Sequence, residues 1–164
     1  MKVSIVIPVY NEFRLFEQVL DRVAAAPLPP GCEKEIIVVD HGSTAGTAQV
    51  LARHAASGRI VAHHAKHQGK GAAIRAGIGL ATGEIVILQD GDLEYDPADY
   101  AAILAPIVSG AADVVYGSRF LGAPLGMAFR NRVANRILTT AANILYAAHI
   151  TDEATAYKAF RTSL

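Results

Sequence analysis

Residues 84–92 read EIVILQDGD, and this stretch decides the fold of the chain. Its apolar, mostly β-branched start predicts a strand that is buried on both faces of a sheet. The strand delivers Asp90 and Asp92 at its carboxyl end, which is where open α/β sheets bind ligands. The two carboxylates point the same way in an extended chain, and Gly91 lets the backbone turn or a ligand approach. Such a pair suits Mg²⁺ or Mn²⁺ bridged to a phosphate, and the alternative is a solvated Asp-Gly turn.

Strand and helix patterns alternate along the rest of the chain. Further strands are predicted at Val3–Val9, Glu35–Asp40, Arg59–His63 and Asp113–Gly117. Two helices are predicted to follow capping residues, one after Asn11 and one after Ser43 or Thr44. Three more are predicted over Gly69–Leu80, from Pro97 onward, and over Asn131–Ala148. The last helix carries Ile137, Leu138, Ala141 and Leu145 on one face. This alternation predicts an α/β fold with a mostly parallel, Rossmann-like central sheet and helices on both faces.

Composition excludes several classes of function. The chain has 164 residues, a formal net charge of zero and 52% hydrophobic residues, which is typical of one globular domain. Zero net charge gives no electrostatic case for a nucleic-acid partner. No apolar run is long enough to cross a membrane, and the N-terminus enters a strand without a cleavage signal. Because Cys32 is the only cysteine, an intrachain disulfide is excluded, and we expect a cytoplasmic protein.

The ends of the first two predicted strands carry residues that suit a nucleoside. No G-x-G-x-x-G follows the first strand, which argues against a dinucleotide-binding dehydrogenase. Tyr10 and Glu12 stand there instead, an aromatic ring to stack and a carboxylate to accept hydrogen bonds; the alternative is an ordinary loop. Asp40 ends the second strand and can accept from a base or from ribose hydroxyls. Helix capping is the competing role, more so for Ser43 and Thr44 than for Asp40.

Two basic segments predict anion binding. Residues 66–71 are basic and glycine-rich and open a helix, so Lys70 is placed in a phosphate neighbourhood, although the spacing is not that of a Walker A loop. His63, His64 and His67 lack the context of a zinc site. The second segment carries Arg119, Arg130, Arg132 and Arg136 around the start of the last helix. Positive charge at a helix N-terminus opposes the macrodipole, which favours a bound anion over a plain solvated face.

Five segments in order resemble family 2 glycosyltransferases of the GT-A fold, most closely the dolichol-phosphate mannose synthase or polyprenyl-phosphate sugar synthase type. They are SIVIPVYNE (Ser4–Glu12), EIIVVDHGSTAGT (Glu35–Thr47), GKGAAIRAGIGLATGEIVILQDGDLEYDP (Gly69–Pro97), DVVYGSRF (Asp113–Phe120) and TDEATAYKAFR (Thr151–Arg161). Together they cover nearly the whole chain. The resemblance implies a GT-A fold and a metal-dependent hexosyltransferase that uses a nucleotide-diphosphate sugar.

The resemblance also implies roles for individual residues. The nucleoside pocket would be lined by Pro8, Tyr10, Glu12 and Asp40. Asp90 and Asp92 would form the DxD pair that binds the metal and the donor diphosphate, with Glu94 as a further metal ligand. Phosphate groups of donor or acceptor would be held by Arg119 and Arg130, with Arg132 as a helper.

The chain departs from the family pattern at two places. His41 and Ala45 replace the second and third acids that usually follow the second strand, which puts base selectivity or affinity in question, while Asp40 is retained. Relatives usually continue past the position of Leu164 with more helix, and often with membrane-associated segments. We expect a single catalytic domain over residues 1–164, with truncation at its C-terminal end as an open alternative.

The expected reaction is an inverting transfer from a GDP-mannose- or UDP-glucose-like donor, with Mg²⁺ or Mn²⁺ on the departing diphosphate. A polyprenyl or dolichyl phosphate acceptor is already largely ionised and needs only positioning, by Arg119 and Arg130. A sugar-hydroxyl acceptor in glycan synthesis needs a carboxylate base, for which Asp152 is the candidate, with helix capping as its alternative role. The apolar loop Leu121–Met127 is expected to close over the acceptor, to touch the cytoplasmic face of a membrane, or to be a plain loop.

Two rival functions stay open. A nucleotidyltransferase shares the sheet and the paired acids, but it would need a glycine-rich basic loop after the first strand, where Pro8–Glu12 stands. A nucleotide-sugar-binding module with weak or no catalysis would keep the pocket and lose turnover. Metal-dependent turnover separates this module from an enzyme.

Overall fold

The computed structural model describes residues 1–43, 45–58, 60–64, 68–121 and 128–164, without the side chains at 13, 14 and 45. The strands are β1 (Lys2–Val9), β2 (Glu33–Asp40), β3 (Val61–His64), β4 (Ile85–Leu88), β5 (Val114–Tyr116) and β6 (Lys158–Arg161). The helices are α1 (Phe13–Ala25), α2 (Ala45–Ala56), α3 (Lys70–Leu80), α4 (Tyr100–Val108) and α5 (Phe129–Tyr146), and a 3₁₀ turn over Pro97–Asp99 precedes α4.

One sheet of six strands, in the order β3-β2-β1-β4-β6-β5, forms the centre of the structure. The strands β3, β2, β1 and β4 are parallel neighbours, which confirms the predicted α/β architecture. β6 pairs antiparallel with both β4 and β5. This sixth strand is absent from the sequence prediction, because its four residues, KAFR, place only two apolar residues between two charged ones and show no strand periodicity.

Both faces of the sheet are covered, as the continuous apolar runs predict. On one face, Ile5, Ile7 and Ile87 pack in a cluster with side chains of α1 and α4. On the other face, Val6, Val39 and Val86 pack against α3. α3 lies so close to the sheet that a Cβ added at Gly77 would stand 2.4 Å from a methyl group of Val6. A side chain at residue 77 would therefore push α3 away from the sheet.

The start of α1 differs from the prediction. Glu12, not Asn11, occupies the N-cap position, and no side chain caps this helix. Asn11 adopts a left-handed backbone with φ of 58°, which asparagine tolerates better than most residues. Its backbone N–H donates to Ser43 Oγ at 2.9 Å, so Asn11 joins the loops after β1 and β2 instead of capping the helix.

The apolar face predicted for the last helix exists, but it faces solvent. On α5, Ile137 is 64% exposed and Leu145 is 75% exposed, while the polar side chain of Thr139 is buried. Periodicity identifies an apolar face but does not say what covers it, and here no described element does. None of the described helices combines the length and the apolarity needed to cross a bilayer.

Candidate functional site

The carboxyl ends of β1, β2 and β4 bring the predicted site residues to one edge of the sheet. Val9 at the end of β1 is paired with Asp40 at the end of β2. Gln89, just past β4, donates its backbone N–H to the Val6 carbonyl at 3.0 Å, so the acidic turn leaves the sheet beside β1. A Cβ added at Gly91 would lie 3.3 Å from the Pro8 carbonyl oxygen, and glycine there keeps that turn close to β1.

A cavity of about 340 Å³ opens at this edge. Its lining includes five of the predicted site residues, namely Pro8, Lys70, Asp90, Glu94 and Arg119, together with Tyr95 and Lys158, which were not predicted. Three cationic and two acidic side chains thus share one cavity. Such a mixture of charges suits a phosphorylated ligand that also binds a divalent cation.

The acidic pair already attracts positive charge. Lys70 Nζ lies 2.5 Å from Asp90 Oδ1, so the ammonium group of Lys70 neutralises this carboxylate. Asp92 Oδ1 accepts the backbone N–H of Glu94 at 3.0 Å, which fixes the turn. Within the described residues, no group of three or more His, Cys, Asp or Glu side chains is arranged to hold a metal. Asp90, Asp92 and Glu94 therefore do not form a closed three-ligand site, and the pair fits a cation that takes its other ligands from phosphate and water.

Gln89 anchors the acidic turn through buried hydrogen bonds, and this role was not predicted from the sequence. Its side-chain Oε1 accepts hydrogen bonds from the hydroxyls of Tyr100, at 2.7 Å, and Tyr157, at 2.9 Å. Its Nε2 donates to the carbonyl of Asp90 at 3.0 Å. Burial raises the pKa of both tyrosines well above the ordinary value, so both hydroxyls stay protonated donors. The signal in the sequence was a polar amide directly after an apolar strand, but nothing identified its partners.

Arg119 is held by a buried carboxylate. Asp152, whose side chain is fully buried, accepts from Arg119 Nε at 2.8 Å and from a terminal guanidinium nitrogen at 2.9 Å. Burial raises the pKa of Asp152, but the hydrogen bonds from the side chain and backbone of Arg119 outweigh burial and leave the pKa below its ordinary value. Asp152 is thus an ionised anchor for Arg119, and its burial disfavours the base role predicted for it.

The other arginines do not join this cavity. Arg130, Arg132 and Arg136 are exposed along α5, and none of them lines the cavity that contains Arg119. Of these four arginines, only Arg119 lines this cavity, and a role in anion binding for the three on α5 stays a prediction. Lys158 takes their place in the cavity, with its Nζ 4.7 Å from the centre of the Tyr116 ring.

The predicted nucleoside residues lie beside one another at the neighbouring strand ends. The rings of Tyr10 and His41 stack, with centroids 5.2 Å apart and planes 15° apart, and Tyr10 is 43% exposed. Glu12 follows at the start of α1. Asp40 is buried and accepts the backbone N–H of Ser43 at 2.9 Å, and its second oxygen lies 3.0 Å from His64 Nδ1. Burial raises the pKa of Asp40, but the hydrogen bonds from Ser43 and His64 lower it further, so the group is ionised.

Some predictions fall outside the described residues. These are the cap at Thr44, the strand start at Arg59, the basic positions Lys66 and His67, and most of the apolar loop, residues 122–127.

Comparison with known proteins agrees with the resemblance seen in the sequence. The family model described as glycosyl transferase family 2 matches residues 4–164. This chain belongs to glycosyl transferase family 2. A segment of 123 residues is 32% identical to a dodecaprenyl-phosphate galacturonate synthase of Rhizobium johnstonii and covers 73% of this chain and 36% of that protein. Over 112 residues it is 36% identical to an undecaprenyl-phosphate 4-deoxy-4-formamido-L-arabinose transferase of Klebsiella pneumoniae, covering 66% of this chain and 34% of that one.

Solved structures of glycosyltransferases share the fold of this family 2 chain. A glucosyl-3-phosphoglycerate synthase from Mycobacterium tuberculosis, in complex with Mn²⁺, UDP-glucose and phosphoglyceric acid, aligns with a TM-score of 0.72 at 23% identity, over 99% of this chain and 57% of that one. A mannosyltransferase from Pyrobaculum calidifontis, in complex with GDP-Man and Mn²⁺, aligns with a TM-score of 0.53 at 32% identity, over 68% of this chain and 32% of that one. The fold is therefore GT-A, and divalent metal accompanies nucleotide sugars in both of these neighbours.

Proposed function

We propose that this chain carries the catalytic site of an inverting glycosyltransferase that takes a sugar from a nucleotide-diphosphate donor. The observation that carries the proposal is the shared cavity, which is lined by Asp90 together with the cations Lys70, Arg119 and Lys158. The stacked Tyr10 and His41 rings lie at the same edge of the sheet and suit the nucleoside. The donor would thus lie with its base at the ends of β1 and β2 and its diphosphate at the turn after β4.

Asp90 and Asp92 would hold a divalent cation, Mg²⁺ or Mn²⁺, with Glu94 at its edge. When bound, such a cation neutralises charge on the departing diphosphate. Lys70 would move from Asp90 to a phosphate oxygen once that cation arrives, since its flexible stem allows the change. Gln89 keeps the acidic turn in place throughout, because its amide ties the Asp90 carbonyl to two buried tyrosines.

We infer that the acceptor is a polyprenyl phosphate. Its phosphate has a second pKa of about 6 and is a nucleophile near neutral pH without a strong base. Arg119 can orient such a group because Asp152 fixes its guanidinium at two nitrogens. A sugar hydroxyl would need a base, and Asp152 is buried behind the arginine. Both curated relatives are named for polyprenyl phosphates, which supports this acceptor.

A transfer assay tests the proposal. The protein is incubated with Mn²⁺, a panel of UDP-, GDP- and dTDP-sugars, and either a short-chain polyprenyl phosphate or an oligosaccharide. We expect a glycosyl phospholipid from at least one donor and no elongated oligosaccharide. Elongation of the oligosaccharide alone would contradict the lipid acceptor while keeping the glycosyltransferase.

We further propose that the exposed face of α5 rests on an anionic bilayer, which is where a polyprenyl phosphate resides. This surface, the α5 face, comprises Phe129, Val133, Ile137, Ile144 and Leu145, which are between 42% and 79% exposed. α5 carries three arginines and no acidic residue, so its charge complements anionic lipid headgroups. A second copy of the same helix would instead bring six arginines together. The cytoplasmic leaflet carries the anionic lipids, which supports a contact on that side of the membrane.

Vesicle co-sedimentation tests the α5 contact. The protein should pellet with phosphatidylcholine vesicles that contain phosphatidylglycerol, and less with phosphatidylcholine alone. The double variant Ile137→Ser/Ile144→Ser should lose about a hundredfold or more in partitioning, since two buried side chains contribute about 3 kcal/mol or more. Leu80→Ser, at an exposed leucine on α3, is the matched control and should bind like the wild type. Equal binding by both variants, or a concentration-dependent dimer abolished by the double variant, would overturn the contact.

A further inference from the structure

The short segment that carries Asp152 is tied to α5 on both sides of this residue. Before it, Asn143 of α5 makes two hydrogen bonds to Ile150: Oδ1 accepts the Ile150 backbone N–H at 3.0 Å, and Nδ2 donates to the Ile150 carbonyl at 2.9 Å. After it, the backbone N–H of Glu153 donates to Thr139 Oγ1 at 2.9 Å. Asp152 lies between these two attachments, so the position of α5 determines where its carboxylate stands.

The two side chains of α5 that make these bonds lie on the inner face of the helix. Among the residues of α5, all of which the structure describes, Thr139 alone is buried. Asn143 is four residues further on and therefore shares its face. Ile137 and Ile144 are 64% and 77% exposed, and their helical positions lie about half a turn away from Thr139. Polar contacts thus attach the inner face of a helix whose apolar face is exposed.

Apolar packing between α5 and β5 is incomplete. A cavity of about 340 Å³ lies between the two elements, lined by Ala142 and Tyr146 of α5 and by Val114 and Tyr116 of β5. Side chains that line an open space lack partner atoms on one side and lose dispersion contacts there. The hydrogen bonds of Thr139 therefore matter more for the position of α5 than they would at a close-packed interface.

On its other side, the same segment holds Arg119. Asp152 accepts the backbone N–H of Arg119 at 3.1 Å, its Nε at 2.8 Å and a terminal guanidinium nitrogen at 2.9 Å. Residues 150–153 are thus held between α5 and the arginine that lines the cavity at the sheet edge. A shift of α5 would move Asp152 through the attached backbone, and Arg119 would follow because three hydrogen bonds join the two residues.

We propose that Thr139 and Asn143 are positioning residues for Arg119, and that the position of α5 thereby determines the affinity of the site for the acceptor phosphate. This inference rests on the proposed polyprenyl phosphate acceptor, which Arg119 would orient. Neither Thr139 nor Asn143 lines the cavity that contains Arg119. Both act through Asp152, since their hydrogen bonds hold the backbone on either side of it.

Other elements position the donor side of the site. Asp90 follows β4, and Gln89 ties its carbonyl to two buried tyrosines. The stacked rings of Tyr10 and His41 are carried by the loops after β1 and β2. A change on the inner face of α5 should therefore weaken the binding of a polyprenyl phosphate and leave the binding of a nucleoside diphosphate unchanged.

Calorimetric titrations with farnesyl phosphate, and separately with UDP in the presence of Mn²⁺, test the inference. Thr139→Val keeps the size of the side chain but removes the acceptor of the Glu153 N–H, and it should weaken farnesyl phosphate binding about fivefold or more. Thr139→Ser keeps the hydroxyl and should bind like the wild type. Thr140→Val is the matched control, because the Thr140 hydroxyl donates to the Arg136 carbonyl within α5. The affinity for UDP should be the same in all four proteins.

A double-mutant cycle shows whether Thr139 acts through Asp152. Asp152→Asn removes the charged anchor of the guanidinium, so adding Thr139→Val to it should change the affinity for farnesyl phosphate by less than about twofold. Asn143→Leu should behave like Thr139→Val in both backgrounds. An undiminished effect of Thr139→Val in the Asp152→Asn protein would overturn the connection through this carboxylate.

The outcomes separate this inference from the proposed function. Equal affinity of the wild type and Thr139→Val for farnesyl phosphate would overturn the positioning role and leave the proposed acceptor standing. A loss of UDP affinity as large as the loss of farnesyl phosphate affinity would indicate general damage to the site, which also overturns the inference. If the wild type binds UDP with Mn²⁺ but no farnesyl phosphate, the proposed acceptor is wrong and the inference falls with it. Thermal unfolding of each variant checks that the affinities are measured on folded protein.

Discussion

In the proposed reaction, Asp152 would act through Arg119 without touching the substrate itself. Arg119 lines the cavity, and the carboxylate behind it determines where its guanidinium points. Burial of Asp152 is stable only because the arginine pairs with it at two nitrogens and its backbone N–H adds a third hydrogen bond. The pair is thus a fixed part of the cavity, and under the proposed function it would orient a phosphate without rearranging during the reaction.

Asp152→Asn should therefore impair the acceptor side of the reaction. We expect the KM for polyprenyl phosphate to rise by about tenfold or more with the KM for the donor little changed, because a misplaced arginine no longer orients the nucleophile. Asp113→Asn is the matched control, since Asp113 pairs with Arg161 at an exposed position away from the cavity. Steady-state kinetics with each substrate varied in turn measures the split. A proportional loss in both KM values, or none, would contradict a positioning role.

Gln89 makes a second prediction at this scale. Gln89→Leu leaves two buried tyrosine hydroxyls without their acceptor, and we expect a loss of about 3 kcal/mol in the free energy of unfolding. Tyr100→Phe removes one hydroxyl and leaves the amide its other partners, so it should cost about 1 kcal/mol. Urea titrations of the two variants give both numbers. Equal costs would show that the two hydroxyls do not depend on Gln89.

Among the elements, β1 is held to its neighbours by a cluster of hydrogen bonds around Glu35. Its carboxylate accepts from Lys2 Nζ at 2.8 Å, from Ser4 Oγ at 2.5 Å and from the backbone N–H of Thr82 at 3.0 Å. Burial raises the pKa of Glu35, but these hydrogen bonds outweigh burial and lower it from 4.5 to about 2. A group with a lowered pKa in the folded state stabilises the protein while it is ionised.

Glu35→Gln should consequently lower stability in a pH-dependent way. At neutral pH, above the ordinary value of 4.5, we expect a loss of about 2 kcal/mol, because charge-assisted hydrogen bonds are broken. As the pH falls from 4.5 toward 2, the wild type loses this contribution and the two proteins should converge. Glu33→Gln, exposed on the same strand, is the control and should change little at any pH. Chemical denaturation across this range measures the difference, and a gap that stays constant would contradict the role of Glu35.

The elements also show what periodicity could and could not predict. The buried strands β1, β2 and β4 were legible because each is a run of apolar residues ending in a polar turn. β6 was not, since its four residues are stabilised by pairing between β4 and β5, a tertiary effect with no local signal. The apolar side of α5 was predicted correctly, but its exposure to solvent was not. The sequence records the chemistry of a helix face and not the partner that covers it.

Across the whole molecule, the candidate site was predictable to the extent that it depends on strand order. Parallel strands end at one edge, so Pro8, Asp40 and Asp90 could be expected there from the alternation of elements alone. The contacts between side chains in the site could not be predicted from strand order. Lys70 against Asp90, Arg119 on Asp152 and Lys158 in the cavity come from residues far apart in the chain. Arg130 is close to Arg119 in sequence but does not line this cavity, so its predicted role stays a prediction.

The central claim is that the acidic turn after β4 is the centre of a metal-dependent glycosyltransferase. The most direct test is the release of nucleoside diphosphate from a nucleotide sugar, in the presence of polyprenyl phosphate and with Mn²⁺ added or chelated. The wild type should turn over only with the metal, and Asp92→Ala should lose at least about a hundredfold in rate, since metal-borne charge stabilisation is worth several kcal/mol. If wild type and Asp92→Ala bind nucleotide equally well without metal and neither turns over, the chain is a nucleotide-sugar-binding module and the claim is wrong.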